Sequence, residues 1–334
     1  VRVEWHFTVP FYSHLMEEGI VIQIIIEKKK TWQKRVFLGF LRFASLSVFG
    51  CIVISGLVGW YLTHPIREPV VSNPSEFGLK YQDVEFSSRE DSVKLSGWYI
   101  PAENSKAIVI QAHGYDGSRT KDKPSFPVTQ ALVQQGISVL MFDFRASGES
   151  EGSLVSVGYF EQRDLLGAFD YVRSLGYQNV GIIGYSMGAS TTAVVAANEA
   201  GIKSVVLDSP FADLNEYLQV NMSVWTKLPN IPFTSLILHE IPVMTGIKPE
   251  NVSPINEMEK YKKKPILFIV CDADKTIPME NSKRLWEKVN NPRDEFWIVP
   301  GAKHVGAYSV MPDQYLDKVT KFFVSSLLYK EGAY

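Results

Sequence analysis

The feature that most restricts this chain is Gly184-Tyr185-Ser186-Met187-Gly188, taken with its flanks. Upstream, Asn179-Val-Gly-Ile-Ile183 is short and apolar, as a strand buried on both faces must be. Downstream, residues 190–199 are rich in alanine and hold neither Pro nor Gly, which favours a helix. The five residues between them fit G-x-S-x-G. That pattern belongs to a sharp strand-to-helix turn, with glycines where backbones pass too close for a side chain and the serine hydroxyl lifted above the sheet. Without partners for the serine, the same letters make only a glycine-rich turn.

The remaining chain keeps a strand–helix rhythm. Val84-Glu-Phe86 and residues 93–100 alternate as an antiparallel pair should. Residues 107–112 read as a buried strand leading into His113-Gly114-Tyr115-Asp116-Gly117-Ser118. Further strands are expected at 137–144, 179–183, 204–207, 265–271 and 295–299, with helices at 127–135, 159–175, 190–199 and 314–328. Such alternation predicts an α/β fold, a mostly parallel sheet covered by helices on both faces. Residues 210–260 break the rhythm. About 50 residues are too many for a bare connection, and they carry Tyr217, Leu218, Met222, Trp225, Phe233, Leu236, Ile237 and Val243. They read as short helices capping the site, the other reading being an insertion remote from the chemistry.

The N-terminal region is of another kind. Residues 1–35 form an extension whose origin the residues leave open. Val21–Ile26 suits a strand, and codons for Glu17-Glu18-Gly19 resemble a ribosome-binding site, as translated leader or vector sequence would. Lys28-Lys29-Lys30 and Lys34-Arg35 precede 20 uncharged residues, Phe43 to Leu62, which end on Trp60 and Tyr61. At about 1.5 Å per residue they span about 30 Å, the thickness of a bilayer's hydrocarbon. Residues 36–64 therefore read as a signal anchor, single-pass, with the catalytic domain outside the cytosol. A packing helix or a cleaved signal, giving a cytoplasmic or secreted protein, are the alternatives. Residues 65–78, with three prolines, read as a linker; 79–209 and 261–334 as the core; 210–260 as the cap. A chain begun near Glu68 is expected to be soluble and active.

Composition excludes some partners. A net charge of −2 gives no reason to expect nucleic acid. Cys51 and Cys271 are too differently placed to suggest a disulfide, and the six histidines show no metal-ligand spacing, so neither metal nor cofactor is expected. Oligomeric state is left open.

An activated serine needs a base, an acid that orients the base, and donors for an oxyanion. His304, after the last strand, is the best-placed base. His6, His14 and His64 lie in the extension or linker, His239 in the cap, and His113 reads as a brace for its own loop. Asp208, Asp272 and Asp274 each follow a strand. Asp274 opens Asp274-Lys-Thr-Ile-Pro278 and suits the order Ser, Asp, His best. The backbone N–H of Met187, at a helix start, and that of Tyr115, after Gly114, are the candidate oxyanion donors.

With these motifs in place, the chain resembles the α/β-hydrolase superfamily, and within it bacterial serine carboxylesterases with an H-G-x loop, D-x-R-G-x-G-x-S, G-x-S-x-G, D-x-x-V-P and G-x-x-H. The resemblance runs from Leu79 to the C-terminus. It implies Ser186 as nucleophile, Asp274 as acid and His304 as base, with Tyr115 and Met187 as oxyanion donors. Ala146 stands where the pattern usually has Gly, and Ile277 where it has Val. The expected activity is hydrolysis of carboxylic esters, small molecules with short-to-medium acyl chains, against an apolar wall that includes Trp225 and Phe233. A peptidase or amidase, a thioesterase, and a membrane-tethered binding protein are the rival readings.

Overall fold

Eight strands form one sheet in the order β1-β2-β4-β3-β5-β6-β7-β8. They are β1 (Gln82–Ser87), β2 (Lys94–Ile100), β3 (Ala107–Ala112), β4 (Ile137–Phe142), β5 (Asn179–Tyr185), β6 (Ile202–Asp208), β7 (Ile266–Cys271) and β8 (Glu295–Val299). β1 pairs antiparallel with β2, and β2 with β4; every later pairing is parallel. This computed structural model describes residues 11–122, 124–261, 264–289 and 291–329; residues 1–10 of the extension, with His6, lie outside them.

The helices are α1 (Phe11–Thr63), α2 (Ser125–Gln134), α3 (Glu161–Ser174), α4 (Met187–Asn198), α5 (Leu214–Thr226), α6 (Ser235–Thr245), α7 (Pro254–Glu257), α8 (Glu280–Trp286), α9 (Ala307–Val310) and α10 (Pro312–Leu327). Successive strand residues face opposite sides. Ile108 and Ile110 of β3 join the core beneath α3 and α4, while Ala107 and Val109 join the core with α2 and α10. A sheet covered on both faces explains why its central strands are apolar at almost every position. The fold is that of an α/β hydrolase.

Residues 210–260 contain no strand among the described residues. α5, α6, α7 and short helical turns fill them, around a core of Leu214, Tyr217, Leu218, Met222, Ile237 and Ile241. The segment expected to be a linker is partly ordered: Asn73 and Glu76 form a reciprocal cap on a helical turn at Pro74–Phe77.

The chain divides into two compact units, Val1–Ser55 and Gly56–Tyr334. The first consists largely of α1. An 18-residue window of α1 has mean hydropathy 2.1, and by length and composition this helix can cross a membrane. Val21–Ile26, expected as a strand, is helical. A strand needs a partner for its backbone groups, whereas a helix satisfies them within its own segment, and that outweighs the β-branched run. The second unit begins with the last turns of α1, Gly56–Thr63.

Candidate active site

The sheet order reverses beside β3: the chain passes to β4 on one side, then to β5 on the other. A crevice opens at the carboxyl ends of strands where such a reversal occurs. The loops after β3, β5, β7 and β8 meet there.

Ser186 sits between β5 and α4 with φ 52° and ψ −115°. A serine at positive φ is strained, and this one is held by its surroundings. Its N–H donates to Asp208 O at 2.9 Å. The flanking glycines are obligatory. A Cβ at Gly184 would lie 2.4 Å from Gly188 O, and one at Gly188 would lie 2.1 Å from Ala112 O. The turn is thus wedged against the end of β3, and the hydroxyl has one direction to face.

His304 Nε2 lies 2.8 Å from Ser186 Oγ, and Nδ1 lies 2.7 Å from Asp274 Oδ2. A carboxylate only accepts, so Nδ1 carries the proton and Nε2 is left to accept from the serine hydroxyl. Asp274 is buried, and its Oδ1 accepts from the N–H groups of Thr276 at 2.8 Å and Ile277 at 2.9 Å. These bonds fix the carboxylate against the imidazole.

The other aspartates are engaged elsewhere. Asp272 is exposed and accepts the Gly301 N–H at 2.6 Å. Asp208 is buried beneath the site, accepting from Ser209 Oγ and from Tyr315 Oη at 2.9 Å. Burial pushes its carboxyl up to about 7. Of the other histidines, His64 stacks on Trp60 and His239 is exposed on the cap. His113 Nε2 accepts the Phe144 N–H at 3.0 Å, so Nδ1 holds the proton and donates to Gly114 O at 2.7 Å. Both ring nitrogens brace the loop after β3.

Met187 is the first residue of α4, where N–H groups have no intrahelical partner. Gly114 brings the loop after β3 so near that a Cβ there would lie 3.5 Å from Ser186 Cβ, and Tyr115 follows it. Both candidate donors therefore flank the serine.

Three supports escaped the motif reading. Asp122 Oδ2 accepts the Gly114 N–H at 3.1 Å, and desolvation raises its carboxyl above the ordinary range. Arg119, buried, donates to Asp143, whose carboxylate also takes the N–H of Glu149. Those bonds tie the loops after β3 and β4 together. Tyr115 Oη donates to Leu62 O at 2.7 Å, linking the loop to the end of α1. No sequence pattern announces a contact across 53 residues.

Two recesses adjoin the loop after β3. A polar cleft is lined by Ser186, His304, Tyr115, Lys121, Asp122 and Lys303, with Lys121 paired to Glu68 at 2.8 Å. A narrow apolar recess of about 30 Å³ is walled by Leu62, Tyr115, Leu218, Met222, Trp225 and Ile241 among others. Tyr115 belongs to both. Trp225 packs on Tyr115 with ring centroids 5.9 Å apart. Phe233 is instead packed in the cap core, outside the residues that line the recess.

The family model described as serine aminopeptidase, S33, matches residues 103–263. The uncharacterized protein YfhR of Escherichia coli K12 is 27% identical over 257 residues, 74% of this chain and 81% of its own length. The structure of the Pyrococcus furiosus esterase Pf2001 superposes with a TM-score of 0.66 at 30% identity, covering 80% of this chain and 98% of that one. Est1E of Butyrivibrio proteoclasticus, solved with ferulic acid bound, shares the fold at 20% identity and a TM-score of 0.61, covering 74% of this chain and 100% of its own.

Proposed function

This chain belongs to the α/β-hydrolase superfamily, and from that premise we propose that it is a serine esterase working through Ser186, His304 and Asp274. The observation that carries the proposal is the hydrogen-bonded relay from Asp274 through His304 to the serine on the strained turn. His304 takes the Ser186 proton as Oγ attacks the ester carbonyl. The N–H groups of Tyr115 and Met187 receive the oxyanion. His304 gives the proton to the departing alcohol, and an acyl-serine remains. Water, deprotonated by the same imidazole, adds to the acyl carbon and frees the acid. Neutral esters of short-to-medium acyl length suit the apolar recess, where each buried methylene contributes about 0.8 kcal/mol, nearly fourfold in binding. We read residues 36–64 as a single-pass signal anchor, with the catalytic unit outside the cytosol.

A fluorophosphonate probe tests the chemistry. Wild type should label at Ser186, and Ser186→Ala should neither label nor hydrolyse p-nitrophenyl esters above about 10⁻³ of wild type. Retention of a tenth of the activity would assign the reaction to another nucleophile. The description of the matching family model favours one second reading, an aminopeptidase, with Asp122 in the polar cleft to receive an amine. Comparison of matched esters and aminoacyl anilides separates the two, and faster anilide turnover would reverse their order.

A further inference from the structure

The cap helices line the recess on one side and also expose apolar side chains away from it. On α5, Leu214, Leu218, Met222 and Trp225 line the apolar recess. On the same helix Val220 and Val224, one turn apart, are 71% and 67% exposed. On α6, Leu238 and Ile241 line the recess, while Val243 and Met244 are exposed; Ile231, before it, is exposed as well. A surface helix ordinarily turns polar residues outward. Grouped exposed apolar side chains mark a surface that meets a protein or a membrane.

The last turns of α1 decide between these. Val58 and Leu62 pack into the cap core. Gly59 lies against α6 so closely that a Cβ there would stand 3.1 Å from Ile241 Cγ1 and 3.2 Å from Met244 Cε. The stretch Glu18–Thr63, long and apolar enough to cross a membrane, therefore ends on the helix that exposes Val243 and Met244. Trp60 and Tyr61, exposed at that end, are the residue types that settle at headgroup depth. Leu62 and Thr63, next in the chain, wall the recess.

We propose that the outer face of the cap docks on a lipid bilayer and that the recess draws its acyl chain from it, so that the substrate is a membrane-borne amphiphilic ester. This deepens, and rests on, the esterase reading. The acyl chain enters the narrow apolar recess by its carbonyl end and keeps its tail in the lipid, the scissile carbonyl lies at Ser186 beyond Tyr115, and the alcohol portion lies in the polar cleft. Water and ester give carboxylic acid and alcohol, with no other reactant.

The test uses the full chain reconstituted in phosphatidylcholine vesicles with two substrates, soluble p-nitrophenyl acetate and a fluorogenic medium-chain acyl ester dissolved in the same vesicles. Val220→Asp with Val224→Asp places two charges on the docking face, away from the lining of either recess. The double variant should lose about tenfold or more on the vesicle-borne ester, the effect of withdrawing two valines from an apolar medium, and keep wild-type turnover of the acetate. Equal turnover of both substrates by variant and wild type overturns the proposal. So does a change confined to oligomeric state, which would assign the face to a second copy of the chain. Failure of wild type on both esters would instead remove the esterase reading. If the charges lower thermal stability, Val224→Cys in a Cys51→Ala background, labelled with a fluorophore, carries the same test. Quenching by brominated lipid supports the proposal, and its absence overturns it.

Discussion

Removing residues 1–67 should take away more than the proposed anchor. The end of α1 lies inside the catalytic unit, and two of its carbonyls are used there. Leu62 O accepts from Tyr115 Oη at 2.7 Å, and Thr63 O accepts from Val155 N at 2.9 Å. Each bond contributes about 1 kcal/mol net. Val58 and Leu62, partly buried against the cap core, contribute roughly 1–2 kcal/mol each through apolar burial. The total is roughly 4–6 kcal/mol, concentrated at the cap and at the loop that carries the Tyr115 amide. For a chain of this size about 1 kcal/mol moves Tm by about 2–4 °C, so the loss should be on the order of 10 °C. None of these groups touches Ser186, His304 or Asp274.

Two truncated chains separate the effects, one beginning at Gly56 and one at Glu68. Differential scanning fluorimetry and kcat/KM over p-nitrophenyl esters from acetate to decanoate are the assays. The Gly56 chain should keep the preference of the full-length protein. The Glu68 chain should be soluble, hydrolyse acetate to within about tenfold of the Gly56 chain, lose the dependence on acyl length and melt on the order of 10 °C lower. Identical melting and superimposable acyl profiles for the two chains would refute the reasoning, because the helix end would then contribute nothing to cap or recess.

Asp274→Asn should hold the wrong tautomer of His304 and lower kcat by on the order of 10⁴-fold, as the equivalent change does in a serine protease; Asp272→Asn, which can still accept the Gly301 N–H, should leave kcat within about threefold, and the opposite ranking in ester assays would move the acid to Asp272. Trp225→Ala should shift the acyl-length optimum upward by opening the recess, whereas Phe233→Ala should lower Tm without moving that optimum; equal shifts would show that Phe233 reaches the acyl chain. Asp208→Asn should flatten the pH dependence of stability: with its carboxyl raised by burial to about 7, against about 3.9 in the unfolded chain, the wild-type contribution is complete below about pH 4 and lost as pH rises through about 7. Melting curves between pH 5 and 8 measure this, and parallel wild-type and variant curves would mean that Asp208 does not titrate there.

The parts of the site legible in the sequence are those whose geometry is set locally. The elbow can be read because Gly184 and Gly188 answer to steric contacts that no side chain survives, and a buried strand and an alanine-rich helix bracket them. Asp274 and His304 can be placed because each follows a recognisable apolar strand, and the parallel sheet carries both strand ends to one edge. Asp272 and Asp208 meet the same local description. Only tertiary hydrogen bonds separate them: Asp272 holds Gly301, and Asp208 is closed in by Tyr315 and Ser209.

What stayed hidden depends on contacts between distant segments. Phe233 and Trp225 are both aromatic residues of the cap, and composition alone treats them alike. The helices turn Trp225 toward Tyr115 and Phe233 into the cap core. Asp122 gives no motif, yet it holds the Gly114 amide whose position decides how near the loop after β3 comes to Ser186. The end of α1 is the strongest case. Hydropathy reads residues 43–62 as a span and stops there, because hydropathy measures what a segment avoids. It does not measure what the last carbonyls of a helix accept. Those carbonyls have no partner within the helix, and here two of them are met by Tyr115 and Val155. An end that must be capped is thereby joined to a loop that must be held. One pair of hydrogen bonds satisfies both requirements, and this makes the segment that reads as an anchor a wall of the proposed acyl site.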